Sequence, residues 1–210
     1  MTFIAGMGYY DKFNMIFAAD TEDLKASFNH FNNLNINGGN VYMPDTLSKL
    51  NLYISNGFTT GGGELLSYKQ ESPEASSIAD KDKLSLYYRG PEEIILNNSG
   101  FPGNYYIEDA PVTVGDQGSK LDLNINVFTN SDKLIKITGN TTINGIIYAP
   151  NATVEVAGTM ELNGAIVANQ FKLTGGADIL YPASGEDSIL TLPDEVKVVK
   201  YQFNSAYWRD

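Results

Sequence analysis

Cleavage of a glycosidic bond needs two carboxylates facing each other across it, roughly 5 to 10 Å apart. In this chain the acids spaced for that task are Asp122 with Asp109 or Asp116, and Glu155 with Glu161. Each pair would come from adjacent turns of chain on one face. No tight Asp–Asp pair accompanies them, and between residues 100 and 182 there is neither His nor Arg. Isolated outward acids are ordinarily solvent-facing charge, so these residues weigh against catalysis. His30 is the only histidine. It sits beside Phe28 and Phe31 and reads as a surface or packing residue. Calcium takes hard oxygen ligands, and the densest carboxylate clusters are Asp80-Lys81-Asp82 and Asp20-Thr21-Glu22-Asp23. Neither has the ligand spacing of an EF-hand loop, so both read as charged turns and no cofactor is assigned. The chain has no Cys, which excludes disulfides and thiolate metal sites.

Binding chemistry is better represented. Three tyrosine doublets, Tyr9-Tyr10, Tyr87-Tyr88 and Tyr105-Tyr106, lie in strand-like surroundings. Adjacent strand residues point to opposite faces, so one ring of each doublet faces out. A row of such rings could grip a sugar. The candidate binding residues are Tyr88, Tyr105, Tyr148 and Trp208. The competing reading is tyrosine at strand edges, with the ring buried and the hydroxyl wet.

The elements that would position these residues follow from a repeat. Asn144-Gly145-Ile146-Ile147-Tyr148-Ala149-Pro150-Asn151 is followed 19 residues later by Asn163-Gly164-Ala165-Ile166-Val167-Ala168-Asn169, and an echo stands at Ile36-Asn37-Gly38-Gly39-Asn40-Val41-Tyr42. A period near ~20 residues of short apolar strands and Asn-Gly turns is the signature of a β-solenoid. The predicted fold is all-β: a single right-handed β-helix spanning 1–210, with a short N-terminal helix and an irregular insertion. The corner residues are Asn37, Gly38, Asn144, Gly145, Pro150, Asn151, Asn163 and Gly164, because Asn and Gly reach φ > 0 most readily. Stacked corners predict an amide ladder between Asn144 and Asn163. The helix is expected to start at Asp20 or Thr21, with Leu24, Ser27, Phe28 and Phe31 at helical spacing. Residues 64–98 are read as a polar excursion, and 187–210 as terminal strands that, with Trp208, cover the coil end.

Composition limits the partners. The 210 residues carry a net charge of −11, with 42% hydrophobic and 19% charged residues. That balance supports a buried core and argues against nucleic acid and against anionic lipid surfaces. No stretch reaches the ~18 apolar residues of a membrane span. Met1 is followed by no basic region of a signal peptide, so the chain is either cytoplasmic or begins after a removed targeting segment.

The phrases Asn144 to Ala152, Asn163 to Ala168 and Gly175-Gly176-Ala177-Asp178-Ile179-Leu180-Tyr181, with the Tyr207-Trp208-Arg209-Asp210 ending, resemble the β-helical C-terminal domain of PilX-like, type IV pilus-associated proteins of bacteria. The Tyr148-Ala149-Pro150-Asn151-Ala152 turn also resembles surface adhesin-like domains. The resemblance implies an extracellular or cell-surface, non-catalytic structural or adhesive module. Its partners would be other pilus subunits or surface ligands such as a host protein or glycan. Family members carry a hydrophobic pilin-like helix ahead of the β-helix; this sequence lacks it, so membrane contact would run only through that missing helix. Two alternatives stand beside this reading: a β-helical polysaccharide lyase or glycosidase, and a filament-forming cytoskeletal β-helix.

Overall fold

The computed structural model describes residues 4–7, 13–16, 26–36, 38–69 and 72–180. In chain order the strands are β1 (Ile4–Met7), β2 (Phe13–Ile16), β3 (Ala26–Asn35), β4 (Asn40–Pro44), β5 (Lys49–Thr59), β6 (Glu64–Lys69), β7 (Ser72–Ile78), β8 (Leu84–Tyr88), β9 (Ile94–Leu96), β10 (Gly103–Ile107), β11 (Val112–Val114), β12 (Lys120–Leu123), β13 (Ile125–Thr129), β14 (Ile135–Ile137), β15 (Asn140–Val156), β16 (Thr159–Leu173) and β17 (Gly176–Leu180). They build a parallel β-solenoid of about seven turns. Among the described residues the only helical element is a single 3-10 turn, Lys81–Lys83.

Three faces run along the coil. The first stacks β3, β5, β8, β10, β13 and the middle of β15 and β16. The second stacks β9, β11, β14 and the ends of β15 and β16. The third stacks β12, the starts of β15 and β16, and β17. Strand alternation sends every second side chain inward. In-register stacking then turns each inward position into a column. Leu52, Leu86, Tyr105, Val127 and Ile147 form one, Ile94, Val112, Ile135 and Val154 another, and Leu123, Ile143 and Leu162 a third; all are buried. Each large aliphatic so buried contributes about 1.5–3 kcal/mol.

The amide ladder forms as the repeat predicts, although its residues do not form turns. Asn144 lies in register with Asn163 and Gly145 with Gly164. Asn163 Nδ2 donates to Asn144 Oδ1 at 2.9 Å, and Asn144 Nδ2 donates to Asp122 Oδ1 at 2.6 Å. A Cβ on Gly164 would overlap the Gly145 carbonyl oxygen, so the stack itself demands glycine there. Gly38 has φ +66°. Asn144-Gly145, Pro150-Asn151 and Asn163-Gly164 are not loops: they lie inside the continuous strands β15 and β16. Pro150 and Asn151 fall where the β15–β16 register shifts, between Ala149 and Thr153. Asn37 lies outside the described residues.

Two expectations change. The predicted N-terminal helix is not formed: Ala26–Phe31 belongs to β3, paired in parallel with β5 (residues 20–25 lie outside the described residues). A short helix is marginal without a packed face. Phe28, His30 and Phe31 instead meet the available strand Leu50–Ile54, and tertiary pairing overrides local spacing. The polar excursion is also smaller than 64–98. β6 pairs in parallel with β4, while β8 and β9 lie in the coil. The departure is the antiparallel return of β7 onto β6, followed by the 3-10 turn. The terminal strands expected at 187–210, with Trp208, lie outside the described residues.

Candidate functional site

The first face carries a ladder of rings on its outer side. In β8, Leu84, Leu86 and Tyr88 share one parity and are buried, which leaves Tyr87 outward. In β10, Gly103, Tyr105 and Ile107 are inward, which leaves Tyr106 outward. Parallel register places Tyr53 on Tyr87, Tyr87 on Tyr106, Tyr106 on Phe128 and Phe128 beside Tyr148. Ring centroids from Tyr53 to Phe128 are 4.6, 4.8 and 5.1 Å apart, with interplanar angles of 7°, 11° and 18°. The spacing is that of neighbouring strands, and offset stacking of this kind stabilises each pair by about 0.5–1.5 kcal/mol beyond area burial. The stack turns the ring faces toward one another and the ring edges toward solvent.

A groove of about 590 Å³ follows the ladder. Its lining includes Tyr53, Tyr87, Tyr106, Phe128 and Tyr148, together with Arg89, Glu108 and Asn130 at the ends of the same strands. Arg89 Nε donates to Glu108 Oε2, and the carboxylate raises the guanidinium further above its ordinary value. Both partners are largely exposed, so the pair adds little stability.

Two of the sequence-derived binding candidates are buried, though Tyr88 also borders the groove. Tyr88 is 1% exposed, and its hydroxyl donates to the Asn56 or Glu92 carbonyl oxygen, at 2.6 and 3.0 Å. Burial, and then the Glu92 charge, raise its pKa. Tyr105 is 2% exposed and donates to the Phe101 carbonyl at 2.7 Å; burial raises its pKa strongly. The Tyr87-Tyr88 and Tyr105-Tyr106 doublets each send one ring outward, but the outward members are Tyr87 and Tyr106; Tyr9-Tyr10 lies outside the described residues. Tyr148 is half-buried and lines the groove. Trp208 lies outside the described residues. Tyr53, Tyr87, Tyr106 and Phe128 were missed, although parity with the inward leucines gives the phase.

The acids proposed for hydrolysis sit in other roles. Asp122 accepts from Asn144, Asp109 accepts from Ser131 Oγ at 2.7 Å, and Glu155 pairs with Lys172 at 3.0 Å. Glu155 lies on the second face between Lys136 and Lys172, whereas Glu161 lies on the third between Thr142 and Asp178. At Asp80-Lys81-Asp82 a second groove, of about 640 Å³, surrounds the lysine. Desolvation lowers the Lys81 pKa and Asp82 partly offsets it. Lys83 donates to the Asp45 and Leu47 carbonyls at 3.0 and 2.9 Å. Among the described residues no three His, Asp or Glu side chains converge as a metal set. Asp20–Asp23 lies outside them.

A second ladder, a column of buried polar side chains on the same strand parity as the outward rings, was also missed. Asn51, Ser85, Asn104 and Asn126 occupy one buried column. Asn126 Nδ2 donates to Asn104 Oδ1 at 2.8 Å, and the Ile146 N–H donates to Asn126 Oδ1 at 2.9 Å.

Fold and face together define a parallel β-solenoid with an external aromatic ladder and an adjoining groove. Residues 74–187 match the family described as Domain of unknown function (DUF7305), more than half of the chain, and the chain belongs to that family. The matched region holds Tyr87, Tyr106, Phe128 and Tyr148 of the ladder. No curated protein and no solved structure matches this chain.

Proposed function

We propose that the chain is a non-catalytic structural or adhesive module of the bacterial cell surface, borne on or beside a type IV pilus and extracellular in its working state. The observation that carries this reading is the continuous ladder Tyr53–Tyr87–Tyr106–Phe128, a rigid face presented over successive coils. A stacked, in-register surface suits display and contact with other pilus subunits or with a surface ligand. The PilX-like phrases at the corners point to the same setting. The structural partners of Asp109, Asp122 and Glu155 favour it over a polysaccharide-active enzyme. The coil is taken as right-handed, as parallel β crossovers almost always are.

The test is where the protein resides. Sheared filaments and intact cells of the producing bacterium are probed with antibody against the solenoid. Recovery in the sheared fraction and labelling of intact cells are expected. Confinement to the cytoplasm overturns the proposal.

A further inference from the structure

The geometry points to the excursion formed by β7 and the 3-10 turn as a strap that fastens coils which are not neighbours and makes them open as one unit. Two lysines of the turn reach in opposite directions along the coil axis. Lys83 reaches back: its Nζ donates to the Asp45 and Leu47 carbonyl oxygens, at 3.0 and 2.9 Å, just ahead of β5. Lys81 reaches forward: its Nζ donates to the Asn144 carbonyl oxygen in β15 at 3.5 Å, the long limit of such a bond. Between them, Asn104 Nδ2 in β10 donates to the Lys81 carbonyl at 3.2 Å, and the turn lies against β5 and β10. At the other end of the strap β7 pairs with β6, and the Ala79 N–H donates to the Leu65 carbonyl at 2.9 Å. Along the stack β5, β8, β10, β13, β15 the outermost anchors are four strand spacings apart, about 19 Å.

A bare solenoid has no link of this kind. Each coil touches only its neighbours, so stability is close to a sum over adjacent pairs and the stack can open from one end. Lys81 passes the coils of β10 and β13 to reach β15, which adds a term that adjacent pairs lack. The anchors suit lasting closure, because an ammonium taken out of water is costly unless it is bonded. The strap also covers outward surface. Asn51, Ser85 and Asn104 share the strand parity of Tyr53, Tyr87 and Tyr106, yet the three rings are half-buried and the three polar residues are buried. At Asn104 the covering group is the Lys81 carbonyl. The inference concerns the coil stack alone and does not depend on where the protein resides.

Native-state hydrogen exchange of the full chain, read by peptide mass, tests the strap. In the intact protein the amides of β5 and β15 should share one opening equilibrium, with the same dependence on urea. The double variant Lys81→Met/Lys83→Met keeps the long apolar stems and removes both ammonium groups. Its β5 amides should exchange about tenfold faster, relative to those of β15, than in the intact protein, the effect of losing hydrogen bonds from a charged group. Arg89→Gln breaks the exposed pair with Glu108 outside the strap and should leave that ratio unchanged. If the double variant does not fold, Lys83→Met alone carries the comparison, with the ratio shifted in the same direction. Separate openings of β5 and β15 in the intact protein, or an unmoved ratio in the folded lysine variant, overturn the inference.

Discussion

Asn126 shows how much one buried polar residue can organise between coils. It is 2% exposed, and its amide ties Asn104 in one neighbouring coil to the Ile146 backbone in the other. Asn126→Ala leaves a buried amide oxygen and a buried N–H without partners. The expected loss is about 2–4 kcal/mol of unfolding free energy, read from urea denaturation. Ser85 occupies the same column, and its buried hydroxyl has no partner. Ser85→Ala should therefore be neutral or stabilising in the same assay, because it removes a desolvated group that makes no bond. Tyr105 gives a pH prediction. Burial holds its folded pKa above the ordinary value near 10. Below that value the phenol is neutral in both states and the stability is fully present. As pH rises past about 10, the unfolded chain ionises first and stability falls. The denaturation midpoint should decline between pH 9.5 and 11 (roughly bracketing the ordinary tyrosine value), less steeply in Tyr105→Phe. An equal decline in both would remove Tyr105 as the cause.

At the scale of the element, the ladder depends on rings more than on hydroxyls. Tyr106→Ala removes a ring stacked on both sides, by Tyr87 and Phe128. A loss of about 2–4 kcal/mol is expected, against under about 1 kcal/mol for Tyr106→Phe. Thermal unfolding of the two variants makes the comparison. What could be read from sequence follows the same division. The Asn144–Asn163 ladder was legible because the same phrase recurs at a constant step, and in-register stacking needs nothing more. The aromatic ladder was half legible. The doublets announced one outward ring each, but the phase was set by Leu84 and Leu86 in β8 and by Ile107 in β10. The Asn51–Ser85–Asn104–Asn126 column was not legible, because its members sit in unlike phrases and the β6–β7 return lengthens one step. β3 was misread because Leu24, Phe28 and Phe31 fit a helix locally, and only β5, far along the chain, decides otherwise.

Across the whole molecule, each coil is held mainly by the coils next to it, as in other solenoids. The second-face columns show the consequence at their last described member. Val154 and Val156 are fully buried, yet their register partners in β16, Phe171 and Leu173, are 42% and 49% exposed. Among the described residues Val154 and Val156 have a coil on both sides of this face, whereas Phe171 and Leu173 have one on one side. The central claim is that coils lie one on another in register. Cysteine pairing tests it directly, because the chain has no Cys of its own. In-register parallel strands hold facing residues about 4.8 Å apart, within disulfide or short cross-linker reach. The double variant Asn144→Cys/Asn163→Cys is predicted to form an intramolecular cross-link under mild oxidation or with a short thiol reagent, while Asn144→Cys/Lys172→Cys, whose positions lie on different faces, does not. Absence of the first cross-link in folded protein, or equal yield from both pairs, would contradict the stacked coil.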